Sequence, residues 1–118
     1  MIAQQFRLKR WRVQKLLKQP DSKKIGFFIV KYLPNKVDHH RWSVVMSRKI
    51  DKRASVRNHK RRQIYEAIRL VDKDHSSSSH HKHFDVALIP YKQIVACNYQ
   101  KIHQNVSDIY KHLASLTS

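Results

Sequence analysis

Three segments of the chain place apolar residues three to four positions apart, which is the period of an α-helix. The first covers residues 9–19 and is followed by Pro20, which cannot continue a helix without losing a backbone hydrogen bond. The second covers residues 54–70. The third covers residues 99–116 and has the clearest apolar stripe of the three. The pattern therefore predicts three helices.

Three other segments are short and rich in β-branched and aromatic residues, which is typical of strands. IGFFIVKYL predicts a strand over Ile25–Leu33 that stops at a Pro-Asn turn signal, and RWSVVMS predicts a strand over Trp42–Ser47. FDVALIP, Phe84–Pro90, is almost wholly apolar, which favours a position in the centre of a sheet. The polar segment DKDHSSSSHHKH has no period and predicts a His/Ser loop over about residues 72–83.

The order of these elements is helix, strands, helix, strand, helix, which indicates an α+β fold. We expect a two-layer α/β sandwich in which the helices pack on a small mixed sheet. A chain of 118 residues is long enough for one hydrophobic core, so residues 1–118 are predicted to form a single RNA-binding domain with a basic N-terminal arm over about residues 1–10.

Charge narrows the class of partner. The chain has 25 Lys and Arg against 8 Asp and Glu, a formal net charge of +17, and residues 1–70 hold 20 of the basic residues. Such a charge opposes compaction unless a polyanion neutralises it, so nucleic acid is the expected partner. No apolar run is long enough to cross a membrane or to resemble a secretory signal, and Cys97 is the single cysteine. We expect a cytoplasmic protein with no membrane partner.

The helix over residues 54–70 has an apolar side and a basic side. At 100° per residue, Ile64, Ala67, Ile68 and Val71 share the side expected to pack on the sheet. Guanidinium groups match phosphate oxygens, an asparagine side chain can bond to RNA, and a tyrosine ring can stack on a base. The residues of these types on the adjacent flank are Asn58, Arg61, Arg62, Tyr65 and Arg69.

Basic residues also precede this helix, so that residues 48–62 contain eight basic residues and one acidic residue. A solvated face that keeps the protein soluble is the alternative interpretation, but this density favours nucleic-acid binding. The predicted RNA-binding residues are Arg48, Lys49, Lys52, Arg53, Arg57, Asn58, Lys60, Arg61, Arg62, Tyr65 and Arg69.

A catalytic site on the protein finds little support. The chain has one glycine and no paired carboxylates, so neither a phosphate-cradling loop nor acid-base chemistry is indicated, and we predict no catalytic residues. Histidines at 75, 80, 81 and 83 offer imidazoles, but their spacing fits no metal site known to us. An exposed loop is the preferred interpretation, and no metal site is predicted on the protein.

The basic segment resembles a known family, the protein component of bacterial ribonuclease P. That family carries a stretch close to R-x-G-[IL]-x-V-S-[KR]-K-[VIF]-G-K-A-x-x-R-N-x-x-K-R-x-I-R-E-x-F-R. Here RWSVVMSRKIDKRASVRNHKRRQIYEAIR follows it over Arg41–Arg69. The resemblance extends over nearly the whole chain through RLKR, FFIVKYLPN and FDVALIPYK.

The resemblance implies a fold and a function. The fold has a left-handed crossover between the strand ending near Ser47 and the helix at Arg57, as in ribosomal-protein-like folds. In that family the ribonuclease P catalytic RNA cleaves precursor tRNA at its 5′ end with bound Mg²⁺. The protein subunit binds that RNA through the R-N motif, here Arg57 and Asn58, and binds the 5′ leader in a cleft between the first helix and the sheet. We expect a monomer outside the ribonucleoprotein.

The resemblance also implies residues for the leader cleft. Two first-helix phenylalanines of the family align with Val13 and Leu17, and a strand aromatic aligns with Lys31. Strand alternation would place Phe27, Ile29 and Lys31 on one face of the sheet, which we assign to the cleft. Structural roles for these residues are the alternative.

Two other functions remain open from the sequence. A general RNA-binding or ribosome-associated protein would have the same charge and composition, although it would not require the R-N-x-x-[KR]-R spacing found at Arg57–Arg62. A metal-dependent nuclease acting alone would need the histidine loop or Asp85 to hold an ion.

Overall fold

A computed structural model describes residues 7–20, 22–37, 39–74 and 83–116. The predicted order of elements is confirmed. The elements are α1 (Arg10–Leu17), β1 (Lys23–Ile25), β2 (Phe28–Pro34), β3 (Arg41–Val44), α2 (Ala54–Asp74), β4 (Phe84–Pro90), a 3₁₀ helix (Lys92–Ala96) and α3 (Tyr99–Ser115).

The four strands form one mixed sheet in the order β1-β2-β4-β3. β2 pairs antiparallel with both β1 and β4, whereas β3 pairs parallel with β4. β4 therefore lies between two strands, and its predicted central position is confirmed. Because β3 and β4 are parallel neighbours, the chain must cross over between them, and α2 makes this connection. The left-handed sense of the crossover stays a prediction.

The two faces of the sheet have different partners. One face packs on α2 and α3, and the core between these layers includes Trp42 and Tyr110, whose rings stack with centroids 5.2 Å apart. The predicted core residues of α2 are buried there: Ile64, Ala67, Ile68 and Val71. The opposite face carries α1, which buries Leu16 completely. None of the helices in the described ranges combines the length and apolar character needed to cross a membrane.

The first predicted strand is wrong in one respect, because it is a hairpin. Ile25 pairs with Phe28, and Gly26 and Phe27 form the turn between β1 and β2. Gly26 has a φ of +57°, a conformation that glycine adopts without the steric cost of a side chain. A Cβ at this position would lie 1.4 Å from the side-chain oxygen of Asn105, so the turn also requires the space that glycine leaves.

Two other predicted boundaries differ from the structure. β3 ends at Val44 rather than Ser47, since the chain leaves the sheet after the Val45 amide donates to the Leu88 carbonyl. α2 continues to Asp74, so residues 72–74 are helical and not part of the predicted loop. Residues 75–82 of that loop lie outside the described residues.

A buried carboxylate joins α1 to the sheet. Asp85 at the start of β4 has a fully buried side chain. It accepts hydrogen bonds from Arg12 Nε on α1 at 2.6 Å, from Arg41 Nε on β3 at 2.7 Å and from Asn35 Nδ2 at 3.0 Å. Burial alone would raise the pKa of Asp85, but the hydrogen bonds from the two arginines and from Asn35 outweigh it and hold that pKa below its usual range. The carboxylate therefore stays charged and fixes α1 on the sheet.

Candidate nucleic-acid interface

A polar groove lies between the N-terminal segment, the edge of the sheet at β3 and the first turns of α2. Its volume is about 420 Å³. The groove brings together four of the predicted RNA-binding residues, Asn58, Arg61, Arg62 and Tyr65. Its remaining lining residues are Arg7, Leu8, Ser43 and Val44.

The N-terminal segment reaches the groove by pairing with the sheet edge. Arg7 forms a parallel bridge with Trp42, and the Leu8 amide donates to the Trp42 carbonyl at 2.9 Å. This pairing covers the edge of β3 and brings the Arg7 side chain to α2. The RLKR motif is visible in the sequence, but the place of Arg7 in this groove is not, because a single bridge leaves no sequence pattern.

The cations on α2 are arranged along one wall of this groove. Arg61 Nη1 donates to Asn58 Oδ1 at 2.8 Å, which orients both side chains. Arg62 is exposed. Since guanidinium groups donate several hydrogen bonds in a fixed plane, the groove presents paired donors suited to phosphate oxygens.

Tyr65 is less accessible than a ring that stacks on a base would need to be. Its side chain is buried, with 5% relative exposure, and its hydroxyl accepts a hydrogen bond from the Val44 amide at 3.2 Å. The guanidinium of Arg7 lies over its ring, 5.9 Å from the centroid. A ring in this position supports Arg7 and the groove floor, so the expectation that Tyr65 stacks on a base is not supported by its burial.

Lys60 is also turned away from the expected surface. It is only 8% exposed, and its ammonium donates to the Cys97 carbonyl at 2.6 Å. This bond ties α2 to the residue that follows the 3₁₀ helix. Lys60 therefore stabilises the packing of α2, whereas the next two residues, Arg61 and Arg62, line the groove.

The segment between β3 and α2 is organised by the first arginine of the R-N motif. Arg57 Nη1 donates to the carbonyls of Asp51 and Lys52, both at 2.9 Å. The Asp51 carboxylate accepts from the Arg53 amide and guanidinium, and these bonds lower the pKa of Asp51 to about 2. Asp51 stands where the similar family has glycine, and it stabilises the turn through its own side chain.

The other predicted RNA-binding residues lie on the surface next to this turn or further along α2. Arg69 pairs with Glu66 at 2.6 Å, which neutralises part of its charge. The exposed basic residues of the segment before α2 are Arg48, Lys49, Lys52 and Arg53.

The predicted leader cleft lies on the other side of the molecule, where α1 covers part of the sheet. Val13 and Leu17 on α1 and Ile29 on β2 are each partly exposed. Lys31 lies on the same face of the sheet as its cross-strand partner Ala87, and Ala87 is completely buried. The structure therefore brings four of the five predicted cleft residues to one side, and Phe27 is the exception.

Phe27 does not share a face with Ile29 and Lys31. It belongs to the turn before β2, so strand alternation does not apply to it. Its amide donates to Asn105 Oδ1 at 2.7 Å, and the Lys101 ammonium lies 5.9 Å from its ring centroid. Phe27 thus contacts α3, and its assignment to the cleft was wrong.

Lys31 closes the end of α1. Its ammonium donates to the carbonyl of Leu17 at 3.0 Å and to that of Gln19 at 2.8 Å. The last carbonyls of a helix have no hydrogen-bond donor within the helix, and they carry its partial negative charge. The Lys31 ammonium supplies both a donor and a positive charge at this end. The cleft consequently contains a positive charge where the similar family has an aromatic ring.

The described residues offer no cluster of three or more His, Cys, Asp or Glu side chains placed to hold a metal ion. Asp85 has the most buried carboxylate of the described residues, and its oxygens accept hydrogen bonds from Arg12 and Arg41. Of the four histidines in the predicted loop, His83 is described, and His75, His80 and His81 lie outside the described residues.

Comparisons with known proteins agree on one family. A family model described as Ribonuclease P matches residues 2–114. The chain is 27% identical to a ribonuclease P protein component from Synechocystis, over 92% of this chain and 86% of that protein. It is similar to the RNase P protein of Staphylococcus aureus, with a TM-score of 0.70, 26% identity, and coverage of 96% and 98% of the two chains. The fold also matches the RNase P protein of Thermotoga maritima, with a TM-score of 0.67, 22% identity, and coverage of 90% and 96%.

Replacing the helix-capping lysine should loosen α1. We expect Lys31→Met to lower the free energy of unfolding by about 1 to 3 kcal/mol, since hydrogen bonds from a charged donor are lost while the aliphatic part remains. Urea unfolding measures this. Lys23→Met, at an exposed position of β1, is the matched control and should change the free energy by less than about 0.5 kcal/mol. Equal effects of the two variants would contradict the capping role.

Proposed function

This chain belongs to the ribonuclease P protein family, and we propose that it supports 5′ maturation of tRNA through two surfaces, one for the catalytic RNA and one for the precursor's 5′ leader. As a member of that family it is the protein subunit of an endoribonuclease holoenzyme that functions in tRNA processing. Its partner is the ribonuclease P RNA. The assignment of each surface to an RNA is our proposal.

The observation that carries the first assignment is the groove at the start of α2. It gathers Arg7, Arg61 and Arg62 beside Asn58, while Arg57 holds the preceding turn in place. Hydrogen bonds orient the Arg61 and Arg57 guanidinium groups, and an oriented guanidinium loses less side-chain entropy when it binds a phosphate. We assign this groove to the ribonuclease P RNA.

The second assignment concerns the cleft beside α1. Val13, Leu17 and Ile29 supply a partly exposed apolar surface, and the Lys31 ammonium lies at its end. An unpaired strand presents both bases and phosphates, so it can use apolar contact and positive charge together. We assign this cleft to the 5′ leader of precursor tRNA, which makes precursor tRNA the second partner.

Ribonuclease P is a metal-dependent ribonucleoprotein enzyme. We propose that Mg²⁺ is held mainly by the RNA, and that the protein's residues bind and position RNA. We also propose that the protein works in the cytoplasm, as a monomer outside the ribonucleoprotein.

Neutralising one groove arginine should change the salt dependence of RNA binding. We expect Arg62→Gln or Arg61→Gln to make the slope of log affinity against log salt shallower by roughly 0.7 to 0.9 per lost phosphate contact. Filter binding to the ribonuclease P RNA at several salt concentrations measures the slope.

Lys60→Gln is the matched control, because Lys60 is on the same helix but bonds to the Cys97 carbonyl. It should lower stability and leave the salt slope unchanged. A slope that changes in the Lys60 variant but not in either arginine variant would overturn the assignment of the groove.

The protein should also stimulate cleavage of precursor tRNA. At low Mg²⁺ concentration, we expect 5′ maturation by a bacterial ribonuclease P RNA to be faster with the protein than without it. The reason is that the Lys and Arg side chains of the bound protein neutralise phosphates that Mg²⁺ would otherwise neutralise. The protein alone should produce no cleavage. No stimulation with the cognate RNA would favour a general RNA-binding function, and cleavage by the protein alone would favour a nuclease.

A further inference from the structure

One large aromatic side chain of the described residues remains in solvent. Trp11 on α1 is 64% exposed, compared with 37% for Val37 and Leu116, the other exposed large apolar residues. The second tryptophan, Trp42, is 1% exposed and belongs to the core. An indole that stays exposed gains little free energy from folding, so its flat apolar face remains available for contact with a partner.

The residues around Trp11 define what can bind. Lys15 lies one turn and Lys18 two turns further along the same side of α1, about 40° and 20° away from Trp11 in a helical projection. Both lysines are exposed, whereas Leu16 on the opposite side is buried against the sheet. We call these three residues, Trp11, Lys15 and Lys18, the outer stripe of α1.

The outer stripe matches single-stranded RNA better than other partners. Residues 9–18 contain five basic residues and no acidic residue, which complements a polyanion. Stacking on an indole requires the flat face of an unpaired base, which a duplex does not expose. Spaced ammonium groups can follow the phosphates of the same strand.

The same helix also forms one wall of the cleft that we assign to the leader. Val13 and Leu17 lie on the cleft side of α1, and Trp11 lies two residues before Val13. Two residues of α-helix turn Trp11 about 160° away from Val13, so a strand reaches the outer stripe after it passes over α1.

We propose that Trp11 is a stacking platform for an unpaired base of the 5′ leader, with Lys15 and Lys18 contacting the adjoining phosphates. This inference rests on the proposed function, since it extends the leader surface from the cleft to the outside of α1. It also supplies an aromatic contact, which the four residues that we assign to the cleft do not, since these are Val13, Leu17, Ile29 and Lys31.

Binding by the reconstituted holoenzyme tests this proposal. Trp11→Ala should weaken affinity for a precursor tRNA by roughly 5- to 150-fold, the range expected for one stacked base. Affinity for mature tRNA and affinity of the protein for the ribonuclease P RNA should stay unchanged. Trp11→Phe keeps a ring and should restore most of the loss, whereas Leu116→Ala, the matched exposed apolar control, should have no effect.

Intrinsic fluorescence gives a second readout on the full chain. A single-stranded leader oligonucleotide should quench the wild-type protein, and the quenching should disappear in Trp11→Phe, where buried Trp42 is the remaining fluorophore. Loss of quenching would support stacking. Quenching that persists in Trp11→Phe would place the contact elsewhere and overturn the proposal.

The outcomes separate the inference from the function on which it rests. If the wild-type holoenzyme prefers precursor over mature tRNA and Trp11→Ala keeps that preference, the stacking proposal fails and the leader cleft stands. If Trp11→Ala weakens binding of the catalytic RNA as much as that of the precursor, the leader is the wrong occupant. If the wild-type holoenzyme has no preference for precursor, leader binding fails and the stacking proposal fails with it.

Discussion

The buried carboxylate of Asp85 is the interaction on which the rest of the structure depends. It is the point where α1, β3, β4 and the turn after β2 meet, through Arg12, Arg41 and Asn35. A buried charge is costly unless its hydrogen-bonding capacity is filled, and here four donor atoms fill it. Since the folded pKa of Asp85 is lowered, its stabilising contribution is present above the unfolded value near pH 4 and is lost as the pH falls through the folded value.

Fixing α1 positions both of the surfaces that we propose for RNA. On its sheet side, α1 forms the cleft with β2, and Lys31 joins the end of the helix to that strand. Immediately before α1, Arg7 and Leu8 run along the edge of β3 and complete the groove with α2. A net charge of +17 would push these segments apart, so the hydrogen bonds of Asp85 to Arg12 and Arg41 act against this repulsion.

The sequence was informative wherever a period or a motif extended over several residues. The central strand Phe84–Pro90 and the apolar face of α2 were predicted correctly. A strand buried on both faces is a continuous apolar run, and a helix buried on one side repeats apolar residues at its own period. The hairpin was missed because Gly26 is followed by Phe27, and apolar residues on both sides conceal the turn. The likeness to ribonuclease P proteins was visible in the sequence and is confirmed by the family match.

The interface was harder to predict, because its details depend on contacts between distant residues. The spacing of Lys60, Arg61 and Arg62 does not show which of the three turns toward the Cys97 carbonyl. Arg7 reaches the groove only through its bridge to Trp42, which is far away in sequence. Asp85 lies in the predicted strand Phe84–Pro90, but its arginine partners are 73 and 44 positions away, so the sequence does not reveal the pairing.

Hydrogen exchange of α1 in Asp85→Asn measures whether the buried carboxylate fixes this helix, because the substitution keeps the shape of the side chain and removes its charge. We expect α1 amides to lose protection by at least about tenfold while α3 keeps its protection, since a broken buried pair costs several kcal/mol locally. Glu66→Gln, which breaks an exposed pair, should leave α1 unchanged. Unchanged protection of α1 in Asp85→Asn, or an equal loss in α1 and α3, would show that Asp85 does not fix α1 on the sheet.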